Sequence, residues 1–292
     1  MTIFDLIGNT PIVELTNIPK LDRVKIYGKL EGLNPGGSVK DRAALGMIKG
    51  ALDRGEIKKG DRLVEATSGN TGIALAMIAG QMGVDITLVM PENSTKERVL
   101  SMKAYGAKVI LTPAEKGIEY CRELAESMAQ NEGYHMLNQF ANTDNSLMHY
   151  RTTGPEIWEQ TDGKITHFVS AMGTTGTIMG VSRYLKEQNP AVQVVGCQPT
   201  EGSNIPGIRR WSPEFLPKIF EPERVDRMVD VSTEDATIMA RRLGREESIL
   251  SGMSSGGAFY SAMKIARELE SGIIVFIVCD IGDRYLSSDL FG

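Results

Sequence analysis

Cysteine is scarce in this chain of 292 residues, and the few present exclude several chemistries. Cys121, Cys197 and Cys279 are odd in number, far apart, and form no Cys-x-x-Cys pair. They offer neither a disulfide framework nor a zinc framework, which suits a reducing cytoplasm. Histidine is equally sparse. His135, His149 and His167 are scattered, read as structural residues, and mark no metal site. No apolar run is long enough to cross a bilayer. The start, "MTIFDLIGNTP", lacks the basic and apolar regions of a secretory signal. An excess of positive charge is also missing: a net charge of -5 argues against a dedicated nucleic-acid binder. Internal repeats, low-complexity tracts and obvious linkers are absent. The expectation is a cytoplasmic protein without metal, membrane or nucleic acid.

What is present is the composition of an ordinary α/β protein, 41% hydrophobic and 24% charged with 31 glycines. The length allows one large or two medium domains. Short β-rich runs alternate with helical patterns. "RLVEAT" leads through "SGNTG" into "IALAMIAGQMG", and "HFVSAMG" leads through "TTGT" into "IMGVSRYLKEQN". "IIVFIVCD" closes the set. Continuous apolar strands separated by helices predict parallel sheets covered on both faces. Two such series, divided near "NQFANTDN", predict two doubly wound α/β domains with mainly parallel sheets and a cleft between them. The expected division is a smaller domain over 36–145 and a larger one over 1–35 plus 146–292.

Ligands of open α/β sheets bind beyond the carboxyl ends of the strands. Three loops of small residues fall there: "TSGNTG" (Thr67 to Gly72), "GTTGT" (Gly173 to Thr177) and "GMSSGG" (Gly252 to Gly257). Any one of them reads as a tight turn that needs glycine. Together they offer backbone N–H groups and hydroxyls at helix N-termini, which suits anions. None reads as GxxxxGK[ST] or GxGxxG, so a Walker-type or dinucleotide site is not expected. A fourth loop, "NPGGSVKDR", places Lys40 in the first turn of a predicted helix with Ser38 as the expected N-cap. A cation is unfavourable at that positive end of the helix dipole. The set suggests a compact phosphate, a carboxylate and a nearby lysine.

"KLEGLNPGGSVKDR" resembles the cofactor-attachment segment of the cysteine synthase and cystathionine β-synthase family of pyridoxal-phosphate enzymes. "EATSGNTGIALAM", "QFANTDN", "TTGPEIW", "GTTGTIMGVSRYL", "GIRRW" and "GMSSGGA" are similar to that family in the same order. The resemblance runs from "IGNTP" to "GDRYLS". "GTTGT", "GIRRW" and the "CD" at Cys279-Asp280 resemble its B-type branch. The resemblance implies fold type II with pyridoxal 5'-phosphate in the interdomain cleft, and a homodimer. It further implies that Lys40 forms a Schiff base with the cofactor, and that Gly173, Thr174, Thr175, Gly176 and Thr177 cradle its phosphate. By the same resemblance Asn70 meets the ring's 3′-oxygen, and Ser254 its pyridine nitrogen. Thr67, Ser68, Thr71 and Gln139 would hold a substrate carboxylate.

The implied reaction makes L-cysteine from O-acetyl-L-serine and sulfide through an α-aminoacrylate, with Lys40 as anchor, base and acid. A serine opposite the ring nitrogen does not require a pyridinium, which favours elimination over transamination. The B-type likeness implies that thiosulfate also serves, giving S-sulfocysteine, and Arg210, or failing that Arg209, is the expected receiver of that dianion. Two adjacent arginines in a loop are also commonly solvated. Two alternatives stand beside this reading: a cystathionine β-synthase-like reaction with homocysteine, and a non-catalytic binding partner of the same fold.

Overall fold

The computed structural model describes residues 1–18, 21–67 and 69–292. Its strands are β1 (Ile12–Glu14), β2 (Val24–Leu30), β3 (Arg62–Ala66), β4 (Asp85–Pro91), β5 (Lys108–Thr112), β6 (His167–Ala171), β7 (Gln193–Pro199), β8 (Arg227–Val231) and β9 (Gly272–Val278). The helices of the first half are α1 (Lys40–Asp53), α2 (Asn70–Met82), α3 (Lys96–Ala104) and α4 (Gly117–Asn131). They are followed by α5 (Thr143–Arg151), α6 (Thr153–Gln160), α7 (Gly176–Gln188), α8 (Thr233–Glu247) and α9 (Met253–Ala266).

The strands form two sheets, as a doubly wound α/β chain requires. The larger has the order β1-β2-β9-β6-β7-β8, and only its edge pair β1–β2 is antiparallel. The smaller, β3-β4-β5, is parallel throughout. Strand β9 shows why its apolar run lies in the middle of a sheet. Ile274, Phe276 and Val278 enter one buried cluster, with Phe259 and Ala262 of α9. Val275 and Ile277 enter another on the opposite face, with Ile178 and Leu185 of α7. The period of two thus delivers apolar side chains to both covered faces. Helices α1 and α2 share the core of the smaller sheet, where Met47, Ile48, Leu75 and Ile78 meet Leu63 and Leu88. No helix among the described residues is long and apolar enough to cross a membrane.

The start of α1 departs from the expected capping. The N-cap position is Val39, already helical at φ -56°, and Ser38 lies one residue farther out. Gly37, at φ +79°, turns the chain so that Ser38 points inward and bridges to Asp280. The Ser38 hydroxyl still accepts the Lys40 N–H, at 3.2 Å. Behind this turn a buried ion cluster anchors the helix. The Arg42 guanidinium donates to Glu31 at 2.7 and 2.8 Å and to Glu156 at 2.7 Å, and Lys29 donates to Glu156 at 2.6 Å. Burial opposes ionisation of Glu31, but Arg42 outweighs it and holds the carboxyl at about 2.

Candidate active site

The carboxyl ends of β3, β6 and β9 open onto a cavity of about 190 Å³ between the two sheets. Lys40 enters it from the first turn of α1, with no hydrogen-bond partner for its amine among the described residues. Burial pushes its pKa below the usual lysine range, against the opposing pull of Cys279, Asp280 and Glu31. A lysine depressed in this way has the neutral form within reach, which is the nucleophilic and proton-accepting one.

Thr67, Asn70, Thr71 and Gln139 line one side of the cavity. Ser68, expected beside them, lies outside the described residues. The Thr71 hydroxyl donates to the Gln139 amide oxygen at 2.9 Å, which leaves the amide nitrogen as a donor for a carboxylate. The main chain around Gln139 is held from below. Glu65, 4% exposed, accepts the Asn138 N–H at 2.6 Å. Asn70 opens α2, where its side chain is tied to the far side of the cleft. Its Nδ2 donates to Asp280 at 2.7 Å, and its oxygen accepts from Arg284 at 2.5 Å.

Gly173, Thr174 and Thr177 line the opposite side. A Cβ at Gly173 would collide with the Gly207 carbonyl, and one at Gly176 with the Asn145 amide, so both positions need glycine. Thr175 precedes α7 at φ +70°, a conformation that β-branched residues seldom adopt. It is 3% exposed, and its hydroxyl has no hydrogen-bond partner. A buried unpaired hydroxyl costs about 1–3 kcal/mol. Together with strained backbone at a helix N-terminus, it fits a loop built to receive an anion. Thr175 and Gly176 shape this loop without lining the cavity wall.

Ser254, in the first turn of α9, lies at the cavity and is 5% exposed, presenting a hydroxyl where a carboxylate would demand a charged partner. Cys279 is adjacent. Burial, reinforced by Asp280, raises its thiol to about 11, so it remains protonated and is a poor nucleophile. The arginine pair separates. Arg209 reaches the cavity, stacks over Trp211 with 5.5 Å to the ring centroid, and lies 3.6 Å from Glu119. Arg210 points away, donating to Asp230 at 2.8 Å and to the Pro199 carbonyl at 3.2 Å. Of the expected receiver, Arg210 or failing that Arg209, it is the second that lines the cavity, because the first is held by Asp230 and the Pro199 carbonyl. Among the described residues no cluster of His, Cys, Asp or Glu could hold a metal ion.

Asn145, the last residue of "QFANTDN", belongs to the site although nothing in its sequence context marks it. Its Nδ2 donates both to the Gln139 carbonyl, at 2.8 Å, and to the Thr174 hydroxyl, at 3.1 Å. One amide thereby joins the two walls.

Residues 3–280 match a family model described as pyridoxal-phosphate dependent enzyme. The chain belongs to that family. It is 58% identical to cysteine synthase B of Pseudomonas aeruginosa over 290 residues, covering 99% of this chain and 97% of the relative. Against cysteine synthase B of Escherichia coli the identity is 54% over 291 residues, covering 100% and 96%. Among solved structures, cysteine synthase from Entamoeba histolytica superposes with a TM-score of 0.93 at 38% identity, covering 99% of this chain and 90% of that one. Pyridoxal phosphate is thus the cofactor the cavity has to hold, and the lysine, the unpaired Thr175 hydroxyl and the glycine-lined loop suit an aldehyde carrying a phosphate.

Proposed function

We propose that this protein makes L-cysteine from O-acetyl-L-serine and sulfide by β-replacement. The observation that carries the reading is Lys40: a depressed, unpartnered amine set between an anion-receiving loop and a carboxylate-receiving wall. The identity to cysteine synthases over nearly the whole chain supports the same reaction.

Lys40 would hold the cofactor, with Gly173 to Thr177 on its phosphate, Asn70 at its 3′-oxygen and Ser254 at its ring nitrogen. When bound, the cofactor supplies an electron sink for the substrate's α-carbon. Thr67, Ser68, Thr71 and Gln139 take the α-carboxylate, the Gln139 amide nitrogen supplying one donor. This grip fixes the Cα–H bond toward the Lys40 Nζ, which takes the proton as acetate leaves and returns it after sulfur has added. The Ser254 hydroxyl would hydrogen-bond the ring nitrogen without requiring its protonation, which favours departure of acetate over reprotonation of the substrate. Arg209 gives the cavity mouth a guanidinium suited to thiosulfate, which we propose as a second sulfur donor.

The division into 36–145 and 1–35 plus 146–292 is supported by the smaller sheet falling wholly within the first range. A homodimer in the cytoplasm completes the reading. The test is direct. Purified protein given O-acetyl-L-serine should yield cysteine with sulfide and S-sulfocysteine with equal thiosulfate, and little cystathionine with equal homocysteine. Cystathionine alone, with no cysteine from sulfide, would replace this reading with its alternative.

A further inference from the structure

His149 read as a structural residue in the sequence, and its surroundings give it more to do. It lies on α5 where that helix packs against α7, 1% exposed. The approach is close enough that a Cβ at Gly180 would lie 2.6 Å from the His149 Cβ. The ring touches two hydroxyls: Nδ1 is 2.8 Å from Thr153 Oγ1, and Nε2 is 3.2 Å from Thr177 Oγ1. Thr177 is the last residue of the anion-receiving loop and lines the cavity.

The polarity of this chain can be worked out. Burial, then the positive field of Arg42, depresses the imidazole to about 3, so it is neutral near pH 7 and carries one N–H and one lone pair. Thr153 is fully buried, and its hydroxyl hydrogen has no acceptor other than His149 among the described residues. An unpaired buried donor is costly, so Thr153 donates to Nδ1. The ring proton must then sit on Nε2, which donates to the Thr177 oxygen. The hydrogen of Thr177 is left unspent by the protein. The other tautomer would strand the Thr153 hydrogen, consume that of Thr177, and turn lone pairs toward the cavity, which repels an anion.

We propose that His149 is a positioning residue for phosphate recognition: held by Thr153 as its Nε2–H tautomer, it directs the Thr177 hydroxyl hydrogen to the cofactor's phosphate. The proposal rests on the reading of 173–177 as the phosphate loop. It adds a proton-ordered relay behind that loop, Thr153 to His149 to Thr177.

The chain contains only three histidines, so the tautomer is directly measurable. In the ¹⁵N spectrum of holoenzyme labelled at histidine, His149 should show a protonated Nε2 and a bare Nδ1 that hold from pH 5 to 8. A protonated Nδ1 overturns the proposal. Affinity supplies the second arm, read by equilibrium dialysis as the retention of each ligand by enzyme loaded with pyridoxal phosphate or, separately, with pyridoxal. His149→Leu should weaken pyridoxal phosphate about ten- to a hundredfold, as loss of a charge-assisted donor does, and pyridoxal less than about twofold. His149→Gln, which keeps an N–H toward Thr177, should recover most of the loss. Equal weakening of both ligands, or a Gln variant as weak as Leu, contradicts the relay. If wild-type protein does not favour pyridoxal phosphate over pyridoxal, the phosphate-loop reading itself fails, whatever the tautomer. Should the Leu variant not fold, the tautomer and the Gln variant still decide.

Discussion

Asp280 holds Asn70 across the cleft, accepting its amide N–H at 2.7 Å over a sequence separation of 210 residues. The same carboxylate oxygen accepts the Tyr285 hydroxyl at 2.6 Å, and the other accepts the Gly252 N–H at 3.1 Å. Arg284 completes the clamp by donating to the Asn70 oxygen and to the Gly36 carbonyl. With its oxygen on Arg284 and one amide hydrogen on Asp280, Asn70 cannot flip, and its second hydrogen is directed for a ligand. Asp280→Ala should lower kcat/KM for O-acetyl-L-serine about ten- to a hundredfold, the usual cost of losing a charged hydrogen bond. Adding Asn70→Ala to that variant should cost little more, because the two act as a unit. Fully additive losses would show that Asp280 acts elsewhere.

The ion cluster behind α1 makes a prediction about acid. The Glu31 carboxyl lies below its ordinary 4.5, at about 2, in the fold. A depressed carboxylate contributes stability that is present above the unfolded pKa and is lost as pH falls through the folded one. The difference is worth about 3 kcal/mol, lost between roughly pH 5 and pH 2. Glu31→Gln should flatten the acid limb of the stability curve in urea titrations. Arg42→Ala, which leaves the buried Glu31 carboxylate without its guanidinium while Glu156 keeps Lys29, should destabilise by about 3–5 kcal/mol at pH 7. An acid limb unchanged in Glu31→Gln would remove the cluster from this role.

The separated arginines predict unequal effects. Arg209→Ala should slow the thiosulfate reaction about tenfold or more relative to sulfide, since one charge-assisted contact is lost to the dianion alone. Arg210→Ala, which breaks the exposed pair with Asp230 and the bond to the Pro199 carbonyl, both away from the cavity, should leave the ratio of the two donors unchanged. Steady-state rates with each donor decide. A donor ratio that moves with Arg210 and not with Arg209 would reverse the assignment.

Much of the fold was legible because its signals are local. Apolar runs such as that of β6, ended by a glycine-rich loop, announce covered parallel strands before any packing is known. The loops after β3 and β6 are legible for the same reason, and Lys40 through its setting, but "GMSSGG" joins α8 to α9 instead of following a strand as expected. What could not be read depends on contacts between distant segments. Nothing local tells that Asn145 spans to Thr174, or that the Gly180 gap brings His149 to Thr177. Arg209 and Arg210 are indistinguishable in sequence, and only the pairing of the Arg209 N–H with the Met172 carbonyl, at 2.9 Å, sets which side chain faces the cavity. Ser38 failed as an N-cap because the turn at Gly37 had already carried Val39 into helical geometry.

The central claim is that the Lys40 amine carries the cofactor and moves the proton. Borohydride reduction of the holoenzyme followed by peptide mapping tests it most directly. The account predicts a single cofactor-modified peptide containing Lys40, and in Lys40→Ala no modified lysine and turnover reduced by at least about a thousandfold, as for loss of a group that is both nucleophile and base. Cofactor fixed to another lysine, or undiminished cysteine formation by Lys40→Ala, would contradict it.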